Sequence, residues 1–365
     1  MLDYKPSTSS YKTLHEVVQK ARQKLNQDAW DYIIGGTETE TTLQRNRQAL
    51  DLLAFRPRVL RDVSNRDAST EFMGKKLRLP VCLAPVGSLE LFTSGAASDS
   101  ARAASQFGVA HMLSSVCKPG IEQLAQDAPE ALRLFQLYVH GDSSWVDEIA
   151  ERVVSAGYKG LCLTVDSAVY SRRERDISKN NARRLSVPGR EFQEKLTWKD
   201  IDRLKSKLTI PISLKGIATA EDARMALDHG VDMIYVSNHG GRQLDHCLGS
   251  MSCLPEITKV VAKKIPVVVD GGFNRGSDIV KAMIAGADMV GLGRIQCLGL
   301  GADGQQGLVR VLELLELEVK LCMGMLGIEN WSQVESSMMQ LAPLVGSPHV
   351  LSAFPLLQLN PDTFY

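Results

Sequence analysis

Eight short β-rich runs, each ending in polar or glycine residues and each followed by a stretch with helical spacing, constrain this chain more than any other feature. The runs are Leu79–Gly87, His111–Val116, Leu134–Val139, Gly160–Asp166, Ile210–Gly216, Met233–Gly240, Ile265–Gly272 and Met289–Arg294. Amphipathic stretches such as Ala96–Phe107, Ser144–Ala156, Ala220–His229 and Ser277–Ala285 lie between them. Strand–helix alternation of this kind demands a parallel sheet, because each return to the sheet needs a crossover helix. Eight strands over about 215 residues is the count at which such a sheet closes. The expected fold is therefore α/β, a (β/α)8 TIM barrel with an N-terminal helical extension. An open doubly wound sheet is the alternative, and eight units disfavour it.

The expected organisation is one domain over residues 1–365, with an N-terminal helical segment at 1–78, the barrel at 79–325 and a tail at 326–365 rich in Pro, Ser and Leu. Residues 11–50 read as helices, with a break at Gly35-Gly36 and a helix start within Thr37–Thr42; residues 300–325 read as the last barrel helix. The longest link in the barrel, about residues 167–208, has a charged and mixed middle at Ser171–Trp198. Long connections in compact domains commonly serve as lids or binding loops.

Composition narrows the function classes. Lys plus Arg and Asp plus Glu number 42 each, a formal net charge of zero. Proteins that live on nucleic acid or anionic lipid usually carry a basic excess, so a small-molecule partner is expected, with neither nucleic acid nor membrane. The seven cysteines (82, 117, 162, 247, 253, 297 and 322) are scattered and form no C-x-x-C pair. They read as buried free thiols, and no clustered ligands point to a metal. Met1–Glu16 holds no apolar core of signal-peptide length, no apolar run spans a bilayer, and Asp362–Tyr365 carries no lipidation or address signal; the cytoplasm is the expected location.

In a (β/α)8 barrel the chemistry sits where the strands end. Strand three ends with Gln136 and Tyr138, and strand four with Thr164 and Asp166, with Arg172-Arg173 just beyond. Strand five ends in Lys215, strand six in Ser237, His239 and Arg242, strand seven in Asp270-Gly271-Gly272, and strand eight in Gly291, Gly293 and Arg294. Each has an ordinary reading taken singly: an Asp there can cap a helix, a Lys can reach water, a His can be a satisfied half-buried ring. Convergence on one rim favours a site. Gly271-Gly272 and Gly291/Gly293 let backbone N–H groups approach an anion at helix N-termini, with Arg294 and Arg275 supplying charge, so a cofactor phosphate is expected there. Gly299-Leu-Gly301-Ala-Asp-Gly304 matches the dinucleotide pattern G-x-G-x-x-G but opens the last barrel helix instead of the first βαβ turn, and is set aside.

From about Tyr11 to about residue 325 the chain resembles the FMN-dependent 2-hydroxy-acid oxidase family, which includes glycolate oxidase, lactate oxidase and mandelate dehydrogenase. The residues that carry the resemblance are Trp30-Asp-Tyr32, Arg45-Asn46-Arg47, Phe55-Arg-Pro-Arg58, Leu83-Ala-Pro85, Phe135-Gln-Leu-Tyr138, Leu163-Thr-Val-Asp166, Arg172-Arg173, Leu214-Lys-Gly216, Val236-to-Asp245 and Val269-Asp-Gly-Gly272. The resemblance implies FMN as cofactor and oxidation of a 2-hydroxy acid to the 2-oxo acid. It implies that Arg173 and Arg242 hold the substrate carboxylate, helped by Tyr32, and that Tyr138 contacts the hydroxyl. His239 would be the base, Asp166 would orient it and stabilise its charged form, and Lys215 would lie near the flavin edge that gains negative charge. Ala84, Pro85, Val86, Gly87, Ser114, Gln136, Thr164 and Ser237 would contact the ring system or ribityl chain. Asp270, Gly271, Gly272, Gly293, Arg294 and Arg275 would bind the ribityl and phosphate end.

Four departures from the family pattern carry expectations. Asn274 stands where the family has a phosphate-binding arginine, with Arg275 one place on. Val116 replaces a pocket tryptophan and Tyr170 a leucine, so a substrate bulkier than glycolate is expected. Gly87 stands where the oxidases have alanine, so the electron acceptor is oxygen or another species. The strand-four connection is shorter than the family's long loop and lacks its apolar patch. The family also implies a homo-oligomer, a tetramer or larger. The alternatives are an FMN barrel with isomerase or nitronate-oxygenase chemistry, or a catalytically inactive flavin barrel.

Overall fold

Strands of a sheet covered by helices are buried on both faces, and every residue of the eight barrel strands except Gly216 is buried. The computed structural model describes residues 11–178 and 189–357. The barrel strands are β1 (Val81–Leu83), β2 (Ala110–Ser114), β3 (Leu132–Leu137), β4 (Leu161–Thr164), β5 (Ile212–Ile217), β6 (Met233–Val236), β7 (Val267–Val269) and β8 (Met289–Leu292). All neighbours are parallel, and β8 pairs with β1 through Val290–Val81, Gly291–Cys82 and Leu292–Leu83. That pairing closes the sheet and excludes the open alternative. Cys82, Met112, Leu134, Cys162, Met233, Tyr235 and Met289 fill the interior, while the helices cover the outside.

The N-terminal segment differs in part from expectation. Helices Leu14–Lys24, Gln27–Ile34 and Thr41–Asp51 form with the break at Gly35-Gly36. After them, however, come a short strand Leu53–Phe55 and a hairpin, Thr70–Phe72 with Lys75–Leu77. Phe72 and Leu77 of that hairpin join the inner barrel cluster. Three-residue strands carry too little alternation to be read from sequence.

The third of these helices starts at Thr41 with no cap from its own flank. Asp245, two hundred residues on, accepts from the backbone N of Thr42 at 2.7 Å and of Thr41 at 3.3 Å. Those bonds hold the Asp245 carboxyl well below the ordinary carboxylate range, although burial opposes them. Arg47 on the same helix forks onto Asp278 at 2.8 and 2.9 Å, tying it to helix Gly276–Ile284. The N-terminal helices are thereby clamped over the C-terminal rim of the barrel.

The last barrel helix begins earlier than expected, running Arg294–Leu326 with a break at Asp303-Gly304, where Gly304 has φ 53°. The glycine-rich match lies inside it and serves packing. A Cβ on Gly299 would stand 2.9 Å from Leu308 Cα, and one on Gly301 2.8 Å from Leu25 Cδ1. The tail folds back, and Met339–Leu341 pairs antiparallel with Leu53–Phe55. In the strand-four link, helices Glu174–Ile177, Glu191–Glu194 and Trp198–Lys207 form. The middle of the expected lid (179–188), most of Met1–Glu16 and all of Asp362–Tyr365 lie outside the described residues. The seven cysteines are free thiols, and among the described residues no helix is long and apolar enough to cross a membrane.

Candidate active site

A cavity of about 300 Å³ opens at the C-terminal mouth of the barrel, roofed by the N-terminal helices and the strand-four link. At its floor His239 adopts a left-handed backbone (φ 58°), a conformation disfavoured for a residue with a Cβ and retained only where the surroundings fix it. Its backbone N donates to Ser237 Oγ at 3.0 Å. Its Nδ1 lies 3.0 Å from Asp166 Oδ1 and its Nε2 3.1 Å from the Tyr138 hydroxyl. A carboxylate on Nδ1 selects the tautomer protonated there, which leaves Nε2 an acceptor facing the cavity.

Electrostatics agree with that assignment. Burial pulls the His239 pKa below its ordinary 6.5, and Asp166 only partly restores it, so the ring is neutral at pH 7. Burial pushes Asp166 the other way, but His239 and Lys215 outweigh it and keep the carboxyl ionised. The Tyr138 phenol is driven upward, first by burial and then by Asp166, and stays protonated.

Near this ring stand two guanidiniums. Arg242 Nη1 donates to the carbonyls of Tyr32 (2.7 Å) and Gly35 (2.9 Å), and its Cζ lies 4.6 Å from the centre of the Tyr32 ring. Its Nη2 is buried with no hydrogen-bond partner among the described residues. Burial and the nearby Arg173 lower its pKa, so it sits in a field that favours an anion. Arg173 Nε donates to Ser171 Oγ (3.2 Å) and to the Arg242 carbonyl (3.3 Å), and Tyr32 donates its hydroxyl to the Gly87 carbonyl at 3.1 Å. An unpartnered buried Arg donor is costly unless a ligand supplies the acceptor, and a carboxylate matches the planar fork.

Other residues of Ser237–Asp245 shape the turn and also position the site. Asn238 Oδ1 accepts from Asn46 Nδ2 (2.9 Å) and from Gly241 N (3.1 Å). Gln243 Oε1 accepts from Arg173 at 3.4 Å while its Nε2 donates to the Asp166 carbonyl at 3.3 Å. Gly241 has φ 76°, and a Cβ there would stand 2.5 Å from Leu43 N; that close approach seats the N-terminal helices on the turn.

The remaining wall suits a flat heterocycle with a phosphate tail. Ala84, Pro85, Val86 and Gly87 line it where β1 ends. Ser114 donates to Gln136 Oε1 at 2.8 Å, which aims Gln136 Nε2 elsewhere. That Nε2 and Thr164 Oγ1, on adjacent strands, are buried without partners among the described residues. Lys215 donates to Ser237 Oγ (2.7 Å) and pairs with Asp270 (3.2 Å); burial opposes its charge, but Asp270 and Asp166 raise its pKa overall. Gly271, Gly272 and Gly293 line the far end beside Arg294. Arg294 donates to the carbonyls of Ile33 (2.8 Å) and Gly35 (2.9 Å); burial and Arg242 bring it down to about 9, still charged at neutral pH.

One expected ligand is turned away. Asn274 lines the cavity, whereas Arg275 does not. The Arg275 guanidinium pairs with Glu318 at 2.5 Å and donates to the Ala353 carbonyl at 3.2 Å. Residue 275 is extended (φ −129°, ψ 156°) before helix Gly276–Ile284, and a step of one residue in extended backbone reverses the side-chain direction. Arg275→Ala is expected to shift the FMN dissociation constant less than about threefold while lowering Tm, because Glu318 loses its partner; fluorescence titration and thermal melts read the two effects separately.

Val116 and Tyr170 both line the cavity, and a Cβ on Gly87 would stand 2.9 Å from Val116 Cγ2, so the missing methyl leaves no void. Sequence reading missed His140, Arg190 and Gln193, which line it too. The period-two alternation Gln136, Tyr138, His140 offered a signal for His140. Nothing periodic marked the other two.

Comparison with known proteins agrees with this geometry. Residues 21–341 match the family model described as FMN-dependent dehydrogenase. The chain is 36% identical over 361 residues to an L-lactate oxidase from Nostoc sp., covering 91% of this chain and 99% of that protein. It is 36% identical over 339 residues to human 2-hydroxyacid oxidase 2, covering 89% and 97% respectively. A crystal structure of mandelate oxidase with 3,3-difluoro-2-hydroxy-3-phenylpropionic acid superimposes with a TM-score of 0.85 at 33% identity, covering 91% of this chain and all of that one.

Proposed function

The chain belongs to the FMN-dependent dehydrogenase family and is an FMN-dependent 2-hydroxy-acid oxidoreductase, and from that premise we propose that His239 is its base and that its substrate is bulkier than glycolate. The observation that carries the reading is the Asp166–His239–Tyr138 chain lying under the unpartnered Nη2 of Arg242. It combines a base of fixed tautomer with a carboxylate fork, which neither an isomerase nor a nitronate-oxygenase reading requires.

In this reading Arg173, Arg242 and Tyr32 bind the carboxylate, and the substrate hydroxyl meets His239 Nε2 and the Tyr138 hydroxyl. Conversion of alcohol to ketone releases two electrons and two protons; His239 takes one proton at Nε2, and the other leaves with the electron pair to the oxidant. Asp166 then stabilises the imidazolium, a charge separation favoured by a buried carboxylate 3.0 Å away. FMN, when bound, supplies the two-electron oxidant. Gln136, Thr164 and Lys215 would hold its ring system, and Gly272, Gly293 and Arg294 its phosphate. The oxidase names of the relatives support oxygen as the final acceptor, and peroxide assay tests this.

The acid limb of the pH profile follows from the base. Only neutral His239 accepts a proton, and burial sets its pKa below 6.5. Activity, read as kcat/KM, is therefore expected to hold from neutral pH down to below 6.5 and fall only beneath that. Asp166→Asn removes the charge that pushes the His239 pKa up, so the limb should move to still lower pH as the rate drops. A limb that moved upward in that variant would contradict the assignment.

Anaerobic mixing with a panel of 2-hydroxy acids tests the whole reading. The flavin band should bleach, faster with larger acids than with glycolate. Equal or faster bleaching by glycolate would overturn the size assignment, and no bleaching by any member would overturn the reaction.

A further inference from the structure

We propose that the mouth of the cavity holds a second anion site, centred on Arg190, and that the preferred substrates are 2-hydroxy dicarboxylates; the inference rests on the hydroxy-acid reading above.

The first support is the position of Arg190. Its guanidinium lies 4.4 Å from the centre of the Tyr170 ring, and the Arg173 guanidinium lies 5.0 Å from the same ring. The two cations are therefore no farther apart than the sum of those distances. Arg173 belongs to the carboxylate fork at one end of the substrate. A diacid of about four or five carbons, with charge-assisted hydrogen bonds at both ends, covers such a span. His140 lines the same part of the cavity, and its ring stays neutral because burial and Arg190 both lower its pKa. It can therefore donate a hydrogen bond to a carboxylate without adding charge.

The second support is that this segment is built in place. Gln193 accepts from the backbone N of Val139 at 2.7 Å and donates to the carbonyl of Thr164 at 2.8 Å, so it staples helix Glu191–Glu194 to the ends of β3 and β4. Gly189 has φ 82°, and a Cβ there would stand 2.1 Å from the His140 carbonyl oxygen. Arg190, between them, is held against the site by backbone packing on one side and a buried amide on the other. A solvated surface arginine needs neither.

The third support is charge. Arg47 is neutralised by Asp278 and Lys215 by Asp270. Arg294 stands at the phosphate end, and Arg173 with Arg242 answer the first carboxylate. That leaves Arg190 facing the cavity with no carboxylate partner among the described residues, and no Asp or Glu occurs between Asp176 and Glu191 in the sequence. An apolar or aryl side chain placed there would lie against two guanidiniums, whereas a carboxylate would satisfy one. The reaction keeps the same balance: the C2 hydroxyl becomes a ketone, two electrons and one proton go to FMN, the other proton goes to His239, and the distal carboxylate is unchanged.

The test compares 2-hydroxyglutarate with 2-hydroxypentanoate, equal in carbon count, as anaerobic reductants of the FMN-loaded enzyme. The diacid is expected to be favoured in kcat/KM by about 10- to 100-fold. Arg190→Gln should bring that ratio to about one, and Arg190→Lys should restore part of it. Binding supplies a separate readout: 2-oxoglutarate should perturb the flavin absorbance of the oxidised enzyme at lower concentration than 2-oxopentanoate, and Arg190→Gln should remove the difference. If the wild-type ratio is one or below, or survives in Arg190→Gln, the inference is wrong while the hydroxy-acid reading stands. If no 2-hydroxy acid reduces the flavin, the reading beneath it fails and the inference falls with it. Should Arg190→Gln lose its flavin, the Arg190→Lys ratio decides, since a preference retained in part or in full supports a charge-based site and a lost one overturns it.

Discussion

Replacing His239 with alanine is expected to slow flavin reduction by about 10²- to 10⁴-fold, the range typical of a positioned general base, while FMN stays bound. The size follows from how much is assembled at one ring: a tautomer fixed by Asp166 at 3.0 Å, an acceptor nitrogen 3.1 Å from Tyr138, and a strained backbone that aims both. Removing the ring also strands the buried Asp166, whose Oδ2 already has no partner among the described residues. Loss of stability is therefore a competing cause of inactivity. Flavin absorbance and thermal melts separate the two, and His239→Gln, which keeps a polar side chain, should fold and still fail to bleach. The residual rate should lose the acid limb of the pH profile. Bleaching at the wild-type rate in either variant would remove His239 from the mechanism.

Arg242→Met is expected to lower kcat/KM by about 2–5 kcal/mol, roughly 30- to several-thousand-fold, the cost of removing one partner of a buried charge pair. Part of that loss is indirect. Nη1 of Arg242 satisfies the carbonyls of Tyr32 and Gly35, so the variant also loosens the segment that carries Tyr32. Tyr32→Phe isolates this contribution. It deletes one hydroxyl, 3.1 Å from the Gly87 carbonyl, and should cost at most about tenfold. Arg242→Lys keeps the charge but cannot span two carbonyls and a carboxylate together, so it should fall between wild type and methionine. A Tyr32→Phe defect as large as that of Arg242→Met would assign the effect to the tyrosine instead.

Much of the fold was legible because it rests on local periodicity. Eight apolar runs with intervening helical spacing leave only a few ways to bury both sheet faces, and the pairing of β8 with β1 realises one of them. The short elements were not legible: the Thr70–Phe72 hairpin and the Met339–Leu341 strand draw their stability from partners far along the chain. Helix Thr41–Asp51 was legible with its start, but its cap was not, because that cap comes from Asp245.

The sequence by itself determined the barrel and the rim on which chemistry would gather, and its family resemblance pointed to the residues proposed as base and fork. Strand periodicity fixes which residues end at the rim, and His239, Asp166 and Arg242 sit on or just past strand ends. Only the tertiary structure decided which loop residues reach the cavity. Arg275 points to Glu318, Asn238 and Asp245 brace the N-terminal helices, and Arg190 is carried over Tyr170 by Gln193 and Gly189. The physical reason is that a strand sets side-chain direction by period two, whereas in a turn it depends on individual backbone angles and on what the turn packs against.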